Sequence, residues 1–154
     1  MRIIIVISLL LVSCIHEEST DTISVLKNNT SHKIRITPYD DGKPLTEEVV
    51  EINENASVEA LFRTYRGKGT GLFYANYLTF MDSVEVRFDD RRRSIHMSYA
   101  LNSTVTNSNA IRYDSNRSLF NEKNYNRRIL AETRNHITNE YTFTFTDEDY
   151  QAAR

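Results

Sequence analysis

"EYTFTFTDEDYQAA", residues 140–153, sets the fold class of this chain. Tyr141, Phe143 and Phe145 alternate with Thr142, Thr144 and Thr146. A period of two places the rings on one face of a strand and the hydroxyls on the other. Burying three rings gains far more than burying three threonines, so the ring face is predicted to meet the core. The next residues, Thr146-Asp147-Glu148-Asp149, resemble a capping box with Asp149 where Glu is usual. They predict one or two helical turns through Tyr150 and Ala153.

Working back along the chain, "DSVEVRFDD" (82–90) is the next clear strand, with Val84, Val86 and Phe88 inward and Glu85 and Arg87 outward. "RRSIHMSYA" (92–100) pairs with it as a hairpin. That pairing puts Ile95, Met97 and Tyr99 on one face and leaves His96 on the opposite, wet face. "SHKIRITPY" (31–39) alternates around Ile34 and Ile36, and Pro38 marks a strand end or an edge. "TISVLKN" (22–28) is a short β-branched strand, followed by the turn residues Asn28-Asn29-Thr30-Ser31. Asp40-Asp41-Gly42 supplies another turn, and "EEVVEIN" (47–53) another strand. In "SVEALFRTY" (57–65), Val58, Ala60 and Phe62 fit a strand, whereas Val58, Leu61, Phe62 and Tyr65 fit a helix. Its place among turn-rich hairpins favours the strand. Residues 102–126 hold seven asparagines and read as a long loop or a short strand near Ile111–Tyr113. "NRRILAETRNHI" (126–137) fits a helix or the first arm of a hairpin. The sum is an all-β fold: an antiparallel β-sandwich, immunoglobulin- or transthyretin-like, of about six to eight strands with a short C-terminal helical turn.

The N-terminus speaks of address. Met1-Arg2 precedes an apolar run, Ile3 to Val12, broken only by Ser8. A helix of that length rises about 15 Å, half a bilayer core, so it reads as a signal sequence rather than a permanent span. Leu11-Val12-Ser13-Cys14 resembles the bacterial lipobox, in which the cysteine is lipidated and becomes the new N-terminus. The expected organisation is a signal peptide over 1–13, a lipidated Cys14 with a tether over 14–21, and one β-rich domain over 22–154. The acidic pair Glu17-Glu18 resembles the surface-export signal of Bacteroidota lipoproteins, with Ile15-His16 in place of its opening serine or lysine. Cys14 is the only cysteine, so a lipidated chain has no thiol left for a disulfide, a nucleophile or a metal.

The chain carries a formal charge of −2, and loss of Arg2 with the leader makes it more acidic. That balance argues against a nucleic-acid partner. Arg91-Arg92-Arg93 follows Asp89-Asp90, so local charge nearly cancels and the triplet reads as a solvated turn. "NNTSHKIRI", "GKGTG", "DSVEVRFDD" and "EYTFTFTDEDYQAA" together resemble a family of small Bacteroidota lipoproteins of unknown function, over most of residues 23–153. "RSLFNEKNY" (117–125) departs from the family, whose members tend to carry an Asn-Pro-Leu-Asn segment there. The resemblance implies an envelope β-domain and brings no catalytic residues.

Chemistry is sparse. His16, His32, His96 and His136 are scattered without His-Glu-x-x-His spacing, and no Gly-x-Ser-x-Gly elbow occurs. "RGKGTG" (66–71) lacks the Walker spacing. Paired acids at Asp40-Asp41, Glu47-Glu48, Asp89-Asp90 and Asp147-Glu148-Asp149 sit at turns, strand edges or a helix start, and no calcium-loop pattern is present. The aromatics Phe73, Tyr74, Tyr77 and Phe80 are candidate ligand contacts, though packing in the core explains them more simply. The expected function is therefore a monomeric, lipid-anchored, non-catalytic envelope module at the outer membrane or cell surface. It binds an envelope protein or glycan and uses no cofactor or metal. The alternative is a hydrolase built from dispersed carboxylates. Mass spectrometry of the mature N-terminus should find acylated Cys14, and Cys14→Ala should release the protein from membranes; an unmodified N-terminus elsewhere contradicts the lipobox.

Overall fold

The computed structural model describes residues 17–67, 81–98 and 110–154. Ten strands and one short helix lie among them: β1 (Ser19–Asn28), β2 (Ile34–Asp40), β3 (Lys43–Pro44), β4 (Val50–Ile52), β5 (Ser57–Arg66), β6 (Ser83–Phe88), β7 (Arg92–Met97), β8 (Ala110–Ile111), β9 (Asn126–Glu132), β10 (His136–Phe145) and α1 (Asp147–Ala152). The number exceeds six to eight because β3 and β8 are two-residue strands. One sheet runs β5-β1-β10-β9, and the other runs β3-β2-β6-β7-β8 with β4 beside β2. The two sheets form a sandwich filled by Leu26, Tyr141, Phe143 and Phe145 from the first and Ile34, Ile36, Ile52, Val84, Val86 and Phe88 from the second. The all-β sandwich and its C-terminal helical turn are as expected.

β10 behaves as its alternation demands. Tyr141, Phe143 and Phe145 are buried, and the threonines between them are half-buried on the outer face. The rings pack edge-on, with Phe143 and Phe145 centroids 4.9 Å apart and Phe88 6.4 Å from Phe145. The expected hairpin turns also form. Asp41 and Gly42 both take positive φ between the paired Asp40 and Lys43, the type I′ geometry. Asn28 is fully buried and closes its own turn: its side-chain oxygen accepts from the Thr30 N–H at 2.9 Å while its amide donates to the His32 carbonyl at 2.7 Å. Pro38 sits on the edge of β2, where the neighbour changes from β4 to β3.

Five details differ from the sequence reading. β1 and β10 pair in parallel across ten registered positions, and β7 and β8 are parallel too, so both sheets are mixed. Alternation fixes which face a residue takes but is silent on strand direction. β1 begins at Ser19, so Ser19–Asp21 belong to the sheet and not to the tether. Its inward residues there are Thr20 and Thr22, followed by Ser24, which give no hydrophobic signal. Phe62 points outward and is 53% exposed, because a bulge between Ser24 and Val25 in the β1 register shifts β5 by one residue and turns Leu61 toward the core. His96 is buried, not wet: it sits opposite Val84, whose side chain faces the interior, and Ile95 takes the other face opposite Glu85. The Val84-Val86-Phe88 face of β6 sets the register and overrides the weaker pattern of β7. Glu85 lies on the outer face as expected but is buried between Arg87 at 2.5 Å and Arg93 at 3.4 Å.

The asparagine-rich tract is a stack of turns from 112 to 125, ending in a 3-10 turn at Glu122–Asn124. Asn124 donates to the carbonyls of Ser115 and Ser118, and Asn121 to those of Asp114 and Ser115. Side-chain amides replace a strand ladder here. The segment after it forms the hairpin arm β9 over Asn126–Glu132, and His136 and Ile137 already open β10. Among the described residues no helix is long and apolar enough to cross a membrane. Phe143→Ala should cost about 3–5 kcal/mol and Thr144→Ala well under about 1 kcal/mol in paired urea melts. The reverse order would mean that β10 presents its other face to the core.

Candidate functional site

The C-terminal helix is clamped from several sides, and the clamp shapes a cleft. Asp149 accepts from the Thr146 N–H at 2.8 Å, which caps α1. The same carboxylate takes the Arg117 guanidinium in a two-point pair, through Nε at 2.7 Å and Nη2. Arg117 also donates to the Thr144 carbonyl at 3.0 Å, so the turn segment, β10 and α1 are tied at one point. Tyr150 stacks on His32 with ring centroids 3.7 Å apart and lies 4.8 Å beneath the Arg92 guanidinium carbon. Arg93 and Arg154 exchange backbone hydrogen bonds at 2.8 and 3.0 Å, which lays the segment after α1 against β7.

Between β7, β8, the 112–115 turn and α1 lies an open cleft of about 510 Å³. Arg93, Ser94, Arg112, Asp114, Ser115 and Arg154 line it, and Ala110 and Ala152 keep it wide. A second hollow of about 260 Å³ shares Arg93 and Arg154 and adds Arg87, Arg91, Arg92 and Asp90. Six arginines and two acids thus line one continuous face of a chain whose formal charge is −2. The Arg91–Arg93 triplet was expected to be neutralised by Asp89-Asp90 in a solvated turn. Instead, Asp89 is engaged elsewhere: one oxygen pairs with His32 Nδ1 at 2.5 Å and the other accepts the Lys33 N–H at 2.8 Å. The hydrogen bond from His32 lowers the Asp89 carboxyl below its ordinary pKa. Arg92 and Arg93 belong to β7 rather than to the turn. Arg112 contacts Asp114 at 3.4 Å, yet its side chain remains 64% exposed.

A third, smaller hollow of about 210 Å³ adjoins the cleft, with Ser94, Ile111 and Ala152 as common walls. Phe88 and Phe145 make it apolar, while His96, Arg117, Glu148 and Asp149 supply polar edges. The Leu119 N–H donates to His96 Nδ1 at 3.1 Å, which leaves the ring hydrogen on Nε2, 3.3 Å from Ser94 Oγ. Burial holds the imidazole pKa down at about 4, with Asp149 opposing the shift and Arg117 reinforcing it. Among the described residues, no three His, Cys, Asp or Glu side chains gather closely enough to hold a metal.

Cys14 and the aromatics Phe73, Tyr74, Tyr77 and Phe80 lie outside the described residues. The arginine face itself escaped the sequence reading. Only its Arg91–Arg93 core is contiguous; Arg87, Arg112 and Arg154 are brought to it by strand register and by the clamp on α1.

No protein-family model matches this chain, and no curated protein matches it. Among solved structures the chain is similar to a single B repeat unit of the collagen-binding surface protein of Staphylococcus aureus, at 14% identity and a TM-score of 0.19. The match covers 84% of this chain and 52% of that one. A likeness at that level says nothing of fold, ligand or partner.

His96 gives the site a pH signature. Its folded pKa lies below the ordinary value of about 6.5, so the unfolded chain binds the proton more readily. Stability is complete above pH ~6.5 and falls as pH drops toward the folded value, by on the order of 3 kcal/mol. Urea melts at pH 7 and pH 4.5 should show this loss. His96→Asn, which keeps an acceptor for the Leu119 N–H, should flatten the profile; an unchanged profile would remove His96 as its source.

Proposed function

We propose that this protein is a lipid-anchored envelope lipoprotein whose β-sandwich is a non-catalytic binding module, with the arginine-lined cleft as the surface that takes an anionic envelope component. The observation that carries the reading is the charge excess: six arginines on one face of an acidic chain, against Asp90 and Asp114 on the surface and Glu85 buried beneath Arg87 and Arg93. Guanidinium groups pair with carboxylates in two-point geometry, so a cluster of them favours anionic partners. The resemblance to Bacteroidota lipoproteins and the Cys14 lipobox support a position at the outer membrane or cell surface.

The hydrolase alternative needs two convergent carboxylates, one with a raised pKa. Against it, Asp149 is paired with Arg117, Glu85 with Arg87 and Arg93, Glu51 with Lys33, and Glu140 with Arg128. The Glu51 carboxyl, held by the Lys33 ammonium, is shifted down rather than up. A monomeric state is supported by both edges of the β5-β1-β10-β9 sheet. The β5 edge carries the bulge beside Ser24, and the β9 edge carries another between Thr138 and Asn139 in the β10 register. Bulged edges resist strand addition.

The test is binding of polygalacturonate, an anionic glycan, by the full chain in non-ionic detergent, with neutral dextran as control. Affinity should fall about tenfold between low and moderate salt, because exposed charges are screened within ~10 Å at 0.1 M. Arg91→Glu with Arg112→Glu, both at exposed positions, should abolish binding while the melting temperature holds. Equal binding of dextran, or no effect of the double variant, contradicts the reading.

A further inference from the structure

The apolar hollow beside the cleft names a ligand shape. Resting on the reading of the cleft as an anion site, we propose that the site binds a monoanionic carboxylate bearing a short apolar substituent. The carboxylate lies between Arg112 and Ser94, and the substituent enters the hollow behind Ile111 and Ala152.

Three observations converge on this shape. The first is adjacency: Ser94, Ile111 and Ala152 line both spaces, so a ligand crossing that wall touches arginines on one side and Phe88 and Phe145 on the other. The second is that the polar groups at the rim of the hollow are largely engaged by protein partners. Arg117 is held by Asp149 and the Thr144 carbonyl, and His96 Nδ1 accepts the Leu119 N–H. What is left for a ligand is mostly carbon surface, which favours an apolar group over a sugar hydroxyl. The third is the direction of the Ser94 hydroxyl. His96 is kept neutral by burial, and its Nε2–H faces Ser94 Oγ at 3.3 Å. Ser94 therefore accepts from His96, and its own hydrogen is free to turn into the cleft as a donor. His96 acts here as a positioning residue.

Size and charge narrow the class. A cavity of about 150 Å³ accommodates the six carbons of benzene, so about 210 Å³ takes roughly eight carbons. Asp114 lines the cleft beside Arg112, which suits one negative charge on the ligand better than two.

The experiment is an amide NMR titration of the full chain in non-ionic detergent with linear carboxylates from acetate to decanoate. Affinity should rise about fourfold per added methylene, the equivalent of ~0.8 kcal/mol each, and level off near octanoate. Shifts should centre on Arg93, Ser94, Ile111, Arg112 and Ala152. Ala152→Leu narrows the hollow from an exposed helix position, so it should flatten the series and leave acetate binding intact. Ser94→Ala should weaken every member by a similar factor. A series that is flat in the native chain, or that still climbs in Ala152→Leu, overturns the inference. Polygalacturonate binding measured on the same samples separates the two levels: intact polyanion binding with a flat series removes the apolar subsite alone. Loss of neither ligand in Arg91→Glu with Arg112→Glu removes the anion site beneath it.

Discussion

The parallel ladder between β1 and β10 is the constraint on which the rest of the molecule hangs. Ser19 pairs with His136 and the register holds without a break to Asn28 and Phe145. These two strands are the centre of their sheet, with β5 on one side and β9 on the other. The ladder joins residues more than a hundred positions apart, so its closure entropy is large and must be offset by what it buries. The offset comes from Leu26 against Phe143, and from the run Tyr141, Phe143 and Phe145 meeting Phe88, Ile34 and Val86 from the opposite sheet.

The cleft inherits its shape from that ladder. β10 leads directly into α1 through Thr146, whose N–H is capped by Asp149. Asp149 then fixes Arg117, and Arg117 returns to the carbonyl of Thr144 on β10. One carboxylate thus caps a helix, neutralises a half-buried guanidinium and fastens the asparagine-built turns to the sheet. At the outer end of the helix, Arg92 reaches the carbonyls of Tyr150 and Gln151, and Arg93 pairs with Arg154. These ties bring arginines from β6, β7, the 112–115 turn and the segment after α1 to a common face. With Asp89 drawn to His32 and Lys33, their charge is only partly offset locally.

Legibility in the sequence followed the strength of local periodicity. β10, β6 and β2 carry strong alternation, and their inward faces agree with it. The first half of β1 turns hydroxyls inward, so its pattern resembles a tether. β5 and β7 carry apolar residues on both faces. In β5 a bulge decided which face counted, and in β7 the hairpin register did. Neither is encoded within the strand itself. The site was harder still, because a charge cluster assembled from four parts of the chain leaves only its contiguous piece, Arg91–Arg93, visible in sequence. His96 looked exposed for the same reason that Ile95 looked buried: β6, not β7, sets the register of that pair.

The β1–β10 ladder closes the fold, and every other element depends on it. Native-state hydrogen exchange tests this most directly, because it reports the opening free energy of each amide. Hydrogen-bonded amides of β1 from Thr22 to Leu26 and of β10 from Asn139 to Phe145 should exchange only through global unfolding, with one shared and highest free energy. Amides of β3, β8 and α1 should open more easily. Exchange of β1 by local opening, well below the global value, while the β2–β6–β7 sheet stays protected, would contradict it.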